Sequence, residues 1–292
     1  MIREELSRFA MNRWIGLHCQ ERDAQGRPYL IRYLGRRRRF PLRIEGPEDV
    51  DKLLSIFRRL KPRTFYATAN VFGSLHEDFL ADPSNIVACT PTWDVDNEPG
   101  AWRATLEAAR ELYAFLEQNG VSKSVFIKWS GKGCHVHLKE GAISEELRKR
   151  INPLDLAYAI VEYVNLRLRD KFLDIALRHR AEGLKIENEM DIQRLFTCPL
   201  SLHRELNKVC VCISPNDLDA FTPEWADPGS FKHYWEWSRF EAGEADGLAM
   251  KAYEAIGGSP RISRGFPRVR RRAHPPLDEQ IARWMRRSED NP

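Results

Sequence analysis

Hydrophobic positions along this chain recur with two periods, and the switches between them mark the elements. Trp102, Leu106, Ala109, Leu112, Tyr113 and Leu116 follow a three-to-four spacing. Residues 100–118 therefore read as an amphipathic helix, closed by Asn119-Gly120 as a C-cap. Asn152-Pro153 opens a longer helix running to about residue 172, with proline in its first turn. Residues 1–20 read as a short amphipathic helix with Trp14, and 47–60 as a helix begun by turn chemistry. A last helix is expected over 231–257, with Trp235, Trp237 and Phe240 packed on the body. Shorter apolar runs of strand length lie between: paired strands over 29–44, then 63–72, 86–96, two strands about a glycine turn near 131–133, 195–199 and 208–213. Residues 173–189 read as an irregular helical segment and 215–228 as a loop rich in Pro and Asp. Gly257-Gly258-Ser259-Pro260 ends the compact part. This divides the chain into a body, 1–260, and a basic arm, 261–292, with one short amphipathic helix over 277–287.

Three polar clusters interrupt this pattern. The first is Asp94-Val95-Asp96, at the end of an apolar run. In a strand, residues i and i+2 share a face, so both carboxylates project together. Two such charges repel each other unless a divalent cation lies between them. Alone, Asp-x-Asp is more often a solvated loop. The second is Ser130-Gly131-Lys132-Gly133-Cys134-His135-Val136-His137. Two glycines let the backbone turn sharply, and hydroxyl, ammonium, imidazole and N–H groups together suit a polyphosphate. The bland alternatives are a glycine hairpin with solvated side chains, or a His-x-His zinc ligand pair lacking a familiar zinc spacing. The P-loop pattern is absent. The third cluster runs from Asp191 through Arg194 to Pro199, Ser201, Leu202 and His203. A polar loop with a satisfied structural histidine is its bland reading.

Taken in order, the clusters resemble the archaeo-eukaryotic primase superfamily, most of all the catalytic small subunit of archaeal DNA primase or a stand-alone primase-polymerase. The shared pattern is Asp-x-Asp, then Ser-Gly-x-Gly-x-His, then Asp followed by Arg, Pro and Ser-Leu-His, over roughly residues 60–215. The resemblance implies an α+β fold with mixed or antiparallel central sheets flanked by helices. It implies a template-dependent nucleotidyltransferase acting in replication or end-joining repair. Asp94, Asp96 and Asp191 would be the catalytic, metal-binding carboxylates for two Mg²⁺ or Mn²⁺ ions. Ser130, Gly131, Lys132, His135, Arg194 and His203 would contact the nucleotide. Template DNA, primer and nucleoside triphosphates are the implied partners, with a large primase subunit or a repair ligase as further ones. The chain departs from the family in two places. Residues 97–123 hold no Cys or His, so no structural zinc is expected. Glu205 stands where the family often keeps Lys, with Arg204 and Lys208 as alternative substitutes. Two other readings stay open: an inactive nucleic-acid-binding homologue, and a metal-dependent nuclease.

Composition changes this picture little. The 292 residues carry 46 Lys+Arg against 42 Asp+Glu, a formal charge of +4, too mild to demand nucleic acid. The distribution says more. Arg36, Arg37, Arg38 and Arg39 form one run, and Arg268, Arg270 and Arg271 belong to a second in the basic arm. Such runs suit phosphate backbones, or equally a solvated face. The six cysteines form no Cys-x-x-Cys pair and read as small core residues. With no signal peptide and no apolar span, a cytoplasmic, prokaryotic location without membrane contact is expected.

Overall fold

The structure, a computed structural model, describes residues 1–35 and 39–260. Arg36, Arg37, Arg38, Arg268, Arg270, Arg271 and the helix expected over 277–287 lie outside the described residues. The chain begins with α1 (Ile2–Ala10), then β1 (Ile15–Arg22), β2 (Pro28–Ile31), β3 (Tyr33–Leu34) and β4 (Phe40–Pro41). Next come α2 (Pro47–Ile56), β5 (Pro62–Thr68), β6 (Asn70–Phe72), β7 (Ile86–Cys89) and β8 (Thr92–Asp96). The helix α3 (Trp102–Gln118) precedes the hairpin of β9 (Val125–Trp129) and β10 (Cys134–Leu138). After α4 (Glu145–Arg150) and α5 (Pro153–His179) follow β11 (Lys185–Glu187), β12 (Leu195–Thr197), β13 (Val211–Ile213) and α6 (Asp246–Ile256).

Two antiparallel sheets organise the molecule. One has the order β12-β5-β1-β2, the other β11-β8-β10-β9-β13. On α3, residues Leu106, Ala109, Leu112 and Leu116 are buried at helical spacing, and the helix packs on β8 and β10. The helix α5 packs on α3, β7 and β8, and α6 on α5. The Asn152 side chain accepts the Leu154 amide and starts α5. It runs past residue 172 because Ile175 and Ala176 are still buried. One apolar core extends from Leu6 to Ala252. The result is an α+β fold with antiparallel central sheets and flanking helices, as expected.

Four element expectations are corrected. Residues 1–20 are not one helix: Asn12 adopts φ 57°, and Ile15, Leu17 and Cys19 are then fully buried with the alternation of a strand. The run 86–96 is two strands, because Pro91 cannot donate to a ladder; β7 pairs with β6, and β8 enters the five-stranded sheet. Residues 173–189 divide between the end of α5 and the strand β11. Of residues 231–257, only Asp246–Ile256 is helical. Trp237 is buried there and donates to Glu5 Oε2 at 2.5 Å, while Trp235 and Phe240 remain largely exposed. All six cysteines are buried and free. Among the described residues no helix is long and apolar enough to cross a membrane.

Candidate active site

The three clusters converge at one cleft of about 340 Å³. Asp94, Asp96, Ser130, Lys132, His135, Arg194 and His203 all line it. Antiparallel registry explains the first meeting: His135 of β10 lies directly opposite Asp94 of β8, and such pairs touch across a sheet. His135 Nε2 is 3.3 Å from Asp94 Oδ1. The other oxygen of Asp94 receives the Arg194 guanidinium, which also meets Glu189.

The glycines make the second and third meetings possible. Gly131 has φ 125°, and a Cβ there would lie 3.0 Å from His203 Cδ2. A Cβ on Gly133 would lie 3.1 Å from Asp96 Oδ1. The turn thus rests its bare backbone on the histidine of the third cluster and the aspartate of the first. Ser130 closes the turn, its amide and hydroxyl both donating to Gly133 O, at 2.9 and 3.2 Å.

Electrostatics separates the two aspartates. Burial works against the charge of Asp94, but His135 and Arg194 more than offset it and hold its pKa below the usual carboxylate value. Asp96 is more open to solvent, yet burial and the charge of Asp94 raise its pKa. His203 is lowered to about 4 by burial and by Arg204, and remains a neutral ring. Its Nδ1 accepts the amides of Glu205 at 3.1 Å and Leu206 at 2.9 Å. The ring proton therefore belongs on Nε2, leaving one N–H donor.

Not every expected residue joins this group. Asp191 is not among the residues lining the cleft. Its Oδ1 accepts the Gln193 amide at 2.7 Å, an Asx turn that holds the carboxylate against its own backbone, and its charge bears on Arg32. Among the described residues, no group of three or more His, Cys, Asp or Glu is placed to hold a metal ion. The charge of Asp94 makes that of Asp96 costlier, a repulsion that a divalent cation held between the two carboxylates would relieve. A site of three carboxylates is not assembled. His137 shares the face of His135 but is fully buried, 2.7 Å from Thr92 Oγ1 and stacked on Phe126, as a residue of the core.

The two basic residues near Glu205 are placed differently. Arg204 lines the cleft, whereas Lys208 is committed to Asp227 at 2.6 Å and Pro223 O at 3.1 Å. Arg39 lies elsewhere, over the Tyr33 ring and 3.8 Å from Glu77, beside a separate cavity of about 940 Å³. His18, Leu30 and Tyr66 also line the cleft, and Glu189 meets Arg194, none of them marked by the sequence pattern as site residues. Gly16 and His18 share a face of β1, in a stretch the sequence pattern reads as helix.

No protein-family model and no curated protein sequence matches the chain. Among solved structures, the chain is similar to the polymerase domain of Mycobacterium tuberculosis ligase D, determined in complex with DNA. The TM-score is 0.51 over 87% of this chain and 85% of that one, at 14% sequence identity. The likeness is one of fold, and by it this chain has the fold of a polymerase domain of that kind.

Proposed function

We propose that the protein is a metal-dependent nucleotidyltransferase of the primase-polymerase type, extending RNA or DNA on a nucleic-acid template. The observation that carries this reading is the convergence of Asp94 and Asp96, the Ser130–His135 turn and His203 on one cleft. The fold agrees, and the neighbour's complex with DNA supports a nucleic-acid partner. Lys132 and Arg204 would balance the charge of a triphosphate, and the Nε2–H of His203 would donate to it without adding charge. His135 would orient Asp94. Mg²⁺ or Mn²⁺ held by Asp94 and Asp96 would neutralise the triphosphate and favour ionisation of a primer 3′-hydroxyl. An ion at this pair would compete with Arg194 for Asp94, and a second would need Asp191 to approach. Arg36–Arg39 and the basic arm would supply backbone contacts.

One observation favours a second reading. Asp94 is already paired with the Arg194 guanidinium and lies 3.3 Å from His135 Nε2, which suits a homologue that binds nucleotide or nucleic acid without chemistry. One experiment decides. The protein is incubated with single-stranded template, Mn²⁺ or Mg²⁺ and labelled nucleotides, with and without primer. Extension or de novo synthesis is expected. Template cleavage would replace the reading with a nuclease, and binding without product would leave the inactive homologue.

A further inference from the structure

Behind the cleft lies a buried lysine that the nucleotide reading leaves without a role. Lys128 of β9 is fully buried. Across the five-stranded sheet Cys212, Lys128, His135 and Asp94 stand directly opposite one another, on β13, β9, β10 and β8. Opposed residues share a face, so Lys128 stands in the row that ends at the cleft, one strand behind His135. Its Nζ leaves its own sheet. It donates to Thr197 O at 2.6 Å and stands 4.1 Å from the centre of the Phe9 ring. Burial works against a charge at this place and lowers the pKa of the amine. An apolar side chain of the same length would not carry that cost.

Thr197 belongs to the other sheet, on its edge strand β12. Arg194 O accepts the Ala69 amide and the Cys198 amide donates to Phe65 O, both on the β5 side. By the alternation of a strand, Thr197 O points the other way, off the edge of its sheet. Apart from Lys128, the buried Cys210 thiol reaches this carbonyl, at 3.9 Å, and a thiol is a weak donor. The strand so held is also a wall of the cleft, which Arg194, Leu195, Phe196 and Thr197 line in succession. From this strand Arg194 meets Asp94, and the Phe196 ring packs edge-on at 5.1 Å from His135.

We propose that Lys128 is a positioning residue of the cleft: by binding Thr197 O it ties β12 to β9, and so seats Arg194 on Asp94 and Phe196 against His135. The tie stands independently of any ligand. Its consequence for metal binding rests on the reading above, because Arg194 holds the carboxylate that a divalent ion would take.

The test is a double-mutant cycle on the full chain, with Lys128→Met and Arg194→Gln. Methionine keeps the apolar stem and removes the donor. Melting curves and Mn²⁺ titrations are recorded for the wild type, both single variants and the double variant. A tie that seats Arg194 means that Lys128→Met loosens it from Asp94 and tightens Mn²⁺ binding, by roughly three- to tenfold. Damage to the fold alone would weaken binding. In the Arg194→Gln background Lys128→Met should add no further gain, and the two changes in melting temperature should overlap instead of summing. Unchanged or weaker Mn²⁺ binding in a folded Lys128→Met, beside tighter binding in Arg194→Gln, would overturn the proposal. Additive melting shifts would overturn it whether or not the cleft binds Mn²⁺. Absence of Mn²⁺ binding in every variant would sink the metal reading, and the tie would then stand or fall on the melting cycle. Lys128→Gln, with a shorter donor, runs in parallel. If neither it nor Lys128→Met folds, Lys128 serves the fold alone and the positioning role is refuted.

Discussion

Asp94 and Asp96 look equivalent in the sequence, and the fold makes them different. Asp94 sits between two cationic or hydrogen-bonding partners, His135 and Arg194. Asp96 is held above its ordinary pKa by burial and by its neighbour. Both Asp94→Asn and Asp96→Asn should abolish nucleotide incorporation, but their stabilities should diverge in metal-free buffer. Asp94→Asn strips a charged partner from half-buried Arg194 and should cost about 2 kcal/mol. Asp96→Asn removes a repulsion, so its melting temperature should hold or rise. Equal losses in the two variants would contradict the charge arrangement described. Arg194 gives a second prediction. Its guanidinium occupies the charge a divalent ion would take, so Arg194→Gln should tighten Mn²⁺ binding in the absence of nucleotide, by roughly tenfold. A Mn²⁺ titration followed by electron spin resonance checks this, and weaker binding would show that Arg194 supports the site instead of competing for it.

The hairpin of β9 and β10 carries the element that matters most. Its turn works because two residues lack a Cβ, one against His203 and one against Asp96. Gly131→Ala would force a side chain into φ 125° and against the His203 ring. About 1–3 kcal/mol of destabilisation is expected, with weaker nucleotide binding as Ser130 and Lys132 shift. Gly229→Ala is the control, since a Cβ there meets nothing within 4 Å; matched melting temperatures for the two variants would refute the packing argument. This hairpin and α3 were legible in the sequence because their signals are local: a glycine pair between apolar strands, and helical spacing closed by Asn-Gly. The meeting of its turn with His203 was legible only through the resemblance to the primase pattern. Other features depend on distant partners and left no local mark. The split at Pro91 follows from which strands β7 and β8 find. Trp14 is buried beyond the end of a helix that stops at Ala10. The turn that holds Asp191 to the Gln193 amide is a choice the chain makes between backbone and cleft, and Asp-x-x-Arg alone does not decide it.

Across the whole molecule, several histidines share one property that no single element reveals. His137 on β10 is fully buried, and burial holds its pKa well below the ordinary value. Burial lowers His203 to about 4. It also lowers His233, against Glu5 of α1, to about 4. His233 Nδ1 accepts the Cys212 amide at 3.0 Å, a bond that protonation of this nitrogen would remove. These rings therefore serve as neutral groups in the packed interior. In the unfolded chain each titrates near 6.5. Between about pH 6.5 and 4 the unfolded chain thus binds more protons than the folded one, and stability rises with pH in that window. Asp94 and Glu140 act the same way at lower pH, because both carboxyls are held below their ordinary range in the fold. Asp96 and Asp155, raised by burial, oppose this in the acid range, but the two stand against three lowered rings and two lowered carboxyls. The melting temperature should therefore fall steadily from about pH 6.5 to 4. His203→Asn, which keeps an acceptor for the Glu205 and Leu206 amides, should flatten part of that slope while remaining folded at pH 7. Melting curves at four or five pH values test this. A flat wild-type profile, or an identical slope in His203→Asn, would mean that these rings are not held neutral by the fold.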